Sequence, residues 1–363
     1  MRRKTTAIAT TLAMILSLLP VGALPSWAAA EIINMENVES DVIISGTHSG
    51  ECPGHTFTRR STKHRIIVEG GTHTITFENN AGVNLSGRDD DEACALSIRE
   101  GANVTLIVSS ESTLKSGGDC AGIAVDGGTV TISGSSTVNA TGGGTGGAGI
   151  AVDGGTVRIQ GGTVKAKGGS GGAGITTGAG GTVVITGGTV TATGAGGGAG
   201  IGGCAGGDSA GAVNIQGGSV TATGAGGGAG IGGGAGGASA GNVNIQSGSV
   251  TATGSGGGAG IGGGAGGESK ATPTINGGTV TATGGDGDGA GIGDTVGISL
   301  LGGKAVVFAS SISKISDNWQ GIAFVGNDGQ VYGDFTLPRN LPVESGHTLT
   351  IPEDATLTIP SGR

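Results

Sequence analysis

Apolar residues recur along this chain at two periods at once. Over short stretches they alternate with polar ones, as in Val190-Thr191-Ala192-Thr193 and its copies at Val220, Val250 and Val280. A period of two places Val and Ala on one face of a strand and Thr on the other. Over longer stretches the phrase Ala-Gly-Ile returns, with its isoleucines at 123, 150, 175, 201, 231, 261 and 292, in steps of 27, 25, 26, 30, 30 and 31 residues. Between one isoleucine and the next lie two further short strands, such as Val213-Asn214-Ile215 and Val220-Thr221-Ala222. Repeats of this length bury their apolar face only by stacking on their neighbours. The pattern predicts an all-β parallel β-helix (solenoid) with three short strands per coil and roughly nine coils. No helical period survives the glycine content.

Around this core the chain divides into four stretches. Residues 1–30 read as a signal peptide: Arg2, Arg3 and Lys4 precede an apolar run from Ala7 to Leu19, and small residues at Ser26-Trp27-Ala28 and Ala28-Ala29-Ala30 offer cleavage sites. Residues 31–65 read as an N-terminal cap, residues 66–297 as the Gly-rich β-helix, and residues 298–363 as a C-terminal β segment that could begin further modules. In that last stretch a hairpin is expected around Asn327-Asp328-Gly329, followed by two copies of Leu-Thr-Ile-Pro. The later coils carry an insertion. From Ile123 to Val130 and from Ile150 to Val157 is 7 residues, but from Ile201 to Val213 and from Ile231 to Val243 is 12. Stacked insertions often make a binding face, and at this glycine content a spacer role is the leading alternative.

Composition narrows the class. Glycine supplies 86 of 363 residues without a three-residue period, which excludes collagen, and the periodic Val and Ile argue against disorder. Loss of the three basic residues at the start, with no acidic residue lost, takes the formal net charge from −9 to −12. Such a charge disfavours nucleic acid and anionic membrane as partners. No second apolar run is long enough to span a bilayer, so no membrane insertion is expected after signal removal. Four cysteines fit an oxidising compartment. Cys94 and Cys120 lie 26 residues apart, one coil, so stacking could bring them together as a disulfide; Cys204 stands where sister repeats carry Gly234 and Gly264.

The phrases CAGIAVDGGTVTISG, GAGIGGG and GGTVTATG, closing on SGHTLTIPEDATLTIPSG, resemble the glycine-rich right-handed parallel β-helix regions of large surface proteins from Gram-positive bacteria. The resemblance covers roughly residues 66–363 and implies architecture rather than activity. The carbohydrate-binding β-helix family of cellulose-degrading clostridia is distantly similar and implies polysaccharide binding with calcium; none of its ligand motifs can be placed on numbered residues here.

Candidate chemistry is sparse. Asp126 and Asp153 each follow their isoleucine by three residues, so they should stack, and two carboxylates could share a Ca²⁺. The competing reading is a turn, since each heads an Asp-Gly-Gly. Asp89 to Glu92 reads as a solvated loop, and His48, Cys52 and His55 lack an evident fourth metal ligand. Arg158, Lys165 and Lys167 near Asp153 invite comparison with β-helix polysaccharide lyases, but they straddle a corner without bulky walls, which argues against an enzyme. The ladder Thr191/Thr193, Thr221/Thr223, Thr251/Thr253, with Asn214 and Asn244, is the candidate ligand face; Thr is also simply favoured on strands. Residues 121–297 contain no aromatic side chain for sugar stacking, and Trp319 is the sole Trp after residue 30. The sequence therefore points to a secreted or cell-surface, non-catalytic stalk, scaffold or adhesin-like region. The alternative is a module that binds polysaccharide or cell-wall glycan.

Overall fold

The structure, a computed structural model, describes residues 31–46, 54–59, 61–88, 93–209, 211–239, 241–270, 273–293, 304–338, 340–341, 343 and 345–361. The expected signal peptide, His48, Cys52 and the acidic run 89–92 lie outside them. The chain is a parallel β-helix of about nine coils, built on three sheets that each take one strand per coil. The first sheet has nine strands, from Val42–Ser45 to Ile261–Gly262, and the second has ten, from Glu31–Asn34 to Thr274–Ile275. The third has thirteen, beginning at Ser61–Thr62. One 3₁₀ turn, Met35–Asn37, is the only helix among the described residues.

Register explains the order of so glycine-rich a chain. In the first sheet Ile123, Ile150, Ile175, Ile201, Ile231 and Ile261 pair in succession, and the column continues to Ile292 and Ile312. Backwards it runs through Leu96 and Ile66 to Val42. The seven phrase isoleucines are fully buried, as are Val190, Ala192, Val220, Ala222, Val250 and Ala252 on the third sheet. Each coil thus contributes a thin layer to one continuous core, and burial against the coils above and below stabilises it. The corners stack as well. Gly142, Gly168, Gly194, Gly224 and Gly254 each donate their N–H to a carbonyl of the next coil, at 2.8–3.0 Å. The turns therefore satisfy their backbone groups by the same ladder as the strands.

The ladders extend beyond the boundaries read from the sequence. Strands at Glu31–Asn34 and Val42–Ser45 already pair in parallel with His55–Thr58 and Ile66–Glu69, so the expected cap residues supply the first coil. At the other end Lys304–Ala309 and Gly321–Val325 continue the third sheet. There its outer face changes character: Thr279 and Thr281 give way to Val306 and Phe308, then Ile322 and Phe324. Phe308 and Phe324 stack with centroids 4.8 Å apart. Phe335, Leu337, Leu349 and Leu357 cover this face and form a second, smaller core outside the solenoid. The hairpin occurs one or two residues earlier than the sequence suggested. Val325 pairs with Asp328, so the tip is Gly326-Asn327, and Gly326 takes φ +60. Gly at the first central position of a two-residue loop meets that demand.

The insertions do not project as an outer shelf. Ala205, Ala235 and Ala265 donate their N–H to Gly171, Gly197 and Gly227, so each added loop folds back over the glycine corner between the third and first sheets. Ser209, Ser239 and Ser269 then rejoin the coil in a buried column headed by Thr177, whose hydroxyl lies 3.0 Å from that of Ser209. The tips, around Gly206, Gly236 and Gly266, are exposed, as are Asp208, Glu268 and Lys270 beyond them. The added loops therefore lie against the coils.

Candidate functional site

The threonine ladder is present and faces solvent. Lys165, Thr191, Thr221, Thr251 and Thr281 form one outward column of the third sheet, and Lys167, Thr193, Thr223, Thr253 and Thr283 the next. Strand pairing spaces such rungs by about 4.8 Å. Lysines bound the ladder on one side and Phe308 bounds the first column on the other. Asn214 and Asn244 pair with each other on the second sheet. They lie across a corner from the threonines, so the two sets do not form one surface. The Oδ1 of Asn244 is shielded and has no donor among the described residues. Arg158, on the second sheet, pairs with Thr131 and Val184, and does not converge with Lys165 and Lys167 on the third.

Asp126 and Asp153 are register partners at the corner between the first and second sheets. They extend a charged column that starts with Glu69 and Arg99, which form an ion pair at 2.5 Å. Burial, then the charge of Asp153, push the Asp126 carboxyl above its ordinary 3.8, while Arg99 pulls it the other way. Gly127 and Gly154, which follow the two aspartates, take left-handed backbone (φ +69 and +61), as a turn requires. No group of three His, Cys, Asp or Glu side chains placed to hold a metal ion occurs among the described residues. The geometry of this corner is that of a turn with partly balanced charge. Cys94 and Cys120 form a disulfide across adjacent coils, with Cα atoms 4.9 Å apart. Cys204 is half-buried in the first insertion, its Sγ 3.6 Å from the carbonyl of Gly146.

A third place gathers side chains that the repeat pattern does not flag. At the C-terminal end a cleft is lined by Asp317, Asn318, Trp319, Gln320, Gln330, Tyr332 and Asp354, with Ile315, Val331 and Pro352 among its apolar contacts. Trp319 is 2% exposed, and its ring lies against that of Tyr332 with centroids 5.1 Å apart. The indole N–H has no acceptor among the described residues. Burial pushes the Tyr332 phenol up, so it stays protonated. The sequence signal was the aromatic pair in SDNWQG and GQVYGD, outside the repeats, where periodicity offers no guide.

Four consecutive segments match a family model described as a beta helix repeat: residues 183–208, 213–235, 243–265 and 274–296. These coils are similar to beta helix repeats. The matched segments begin at or beside second-sheet strands and recur with the coil, so family model and structure divide this region alike. They amount to about a quarter of the chain. No curated protein and no solved structure matches it. No helix among the described residues is long and apolar enough to cross a membrane.

Proposed function

We propose that the protein is a non-catalytic β-solenoid, exported to the cell surface or beyond, that serves as a stiff spacer or scaffold. The observation that carries this reading is the unbroken ladder from Val42 to Ile312, joined coil to coil through corners as well as strands. Three hydrogen-bonded sheets sharing one core resist bending, because a bend must open ladder bonds on one side. The insertions support the same reading, since they fold onto the coils and thicken them. Export rests on the first 30 residues and on the Cys94–Cys120 disulfide, which suits an oxidising compartment.

Two experiments test it. Deletion of residues 231–260 joins Gly230 to Ile261 in register and removes one coil. The shortened protein is expected to keep its β-type circular dichroism and a cooperative melt; an unfolded product would contradict modular stacking. Expressed whole in a bacterium, the chain is expected outside the cytoplasm, with a new N-terminus after residue 28 or 30. Uncleaved cytoplasmic accumulation would overturn the exported role.

A further inference from the structure

We propose that the C-terminal cleft between residues 315–320, the strand Asp328–Tyr332 and the turn at Pro352–Asp354 is a binding site for a neutral saccharide. The site lies off the coils and does not depend on the spacer reading. Its aromatic surface is the half-buried ring of Tyr332, backed by the buried indole of Trp319, which is tilted 53° against it. Its rim is polar, and Asp317, Asn318, Gln320, Gln330 and Asp354 all stand exposed around it. Carboxylates accept hydrogen bonds, amides both donate and accept, and a protonated phenol does either. That mixture matches a ring whose hydroxyls do both while its C–H face packs on an aromatic surface.

The charge of the site selects among sugars. Asp317 and Asp354 bring two carboxylates, and no lysine or arginine is among the described lining residues. An acidic sugar would meet like charge, whereas a neutral one offers hydroxyl donors to the same oxygens. A resident metal is a poorer fit, because no third ligating side chain joins the two carboxylates among the described residues. The threonine ladder, by contrast, offers hydroxyls without an aromatic surface until Phe308, which packs beneath the second core.

Tryptophan emission tests the site directly. In the full chain carrying Trp27→Phe, Trp319 is the only tryptophan. The probes are cellohexaose, xylohexaose, mannohexaose and N-acetylchitohexaose, with polygalacturonate as the acidic control. A saturable change in emission with at least one neutral oligosaccharide and none with polygalacturonate is expected. Asp317→Ala or Gln330→Ala, both at exposed positions that leave the melt unchanged, should weaken that response by roughly ten-fold. Absence of any saturable response up to millimolar neutral sugar would overturn the proposal. So would an equal response to polygalacturonate, or unchanged affinity in both variants.

Discussion

Single residues in this protein are constrained mainly by how closely backbone passes backbone. A Cβ on Gly142 would overlap the carbonyl of Gly147, whereas one on Gly146, in the same corner, would meet nothing within 4 Å. Gly142→Ala is therefore expected to cost about 1–3 kcal/mol of stability, and Gly146→Ala to stay within about 0.5 kcal/mol. Urea unfolding followed by circular dichroism compares them, and equal effects would mean that the corners are not stacked as described. The acidic corner yields a pH dependence. Asp126 binds its proton more tightly when folded, so between 3.8 and its higher folded value the folded state holds more protons. Stability should fall as pH rises through that window, and Asp126→Asn should remove this slope while raising the melting temperature at neutral pH. A wild-type slope that persists in the variant would place its origin elsewhere. At this scale the alternation of Val, Ala and Thr was legible in the sequence, because period two alone decides which side chain faces the core. The burial of Ser209, Ser239 and Ser269 was not, because a Ser in a Gly-rich loop carries no mark that it will rejoin a core column.

Among elements, the insertions and the disulfide hold the stack at its less regular points. Thr177 heads the buried hydroxyl column and lies 3.0 Å from the Ser209 hydroxyl. Ser209→Ala leaves Thr177 without that partner, and a loss of about 1–3 kcal/mol is expected in urea unfolding; a neutral effect would show that the contact contributes nothing. Reduction of Cys94–Cys120 reopens a loop of 26 residues and should lower stability by about 3 kcal/mol. It should do so without altering the circular dichroism, because the ladder on both sides is complete. The strands were legible from their turn signals and spacing. The boundaries at 65 and 297 fall where the repeated phrase becomes irregular, yet the hydrogen-bonded register ignores that irregularity. Val42 and Ile66 pair as well as Ile201 and Ile231 do, although the phrase around them differs. The C-terminal cleft was hidden for a related reason. Trp319 and Tyr332 meet through an antiparallel hairpin and the turn before it, and neither follows the coil period.

For the whole molecule, the central claim is that length is counted in coils. Every sheet is continuous, the core is one column of thin layers, and the outer core at the C-terminal end covers only the last strands of the third sheet. A spacer of this kind should change length in fixed steps while its width stays constant. Small-angle X-ray scattering of the chain beside a variant with three added copies of residues 231–260 measures both quantities. The maximum dimension should grow by about 14 Å, near 4.8 Å per coil, with an unchanged cross-section. An unchanged length with a thicker particle, or a flexible-chain profile in place of a rod, would contradict the account.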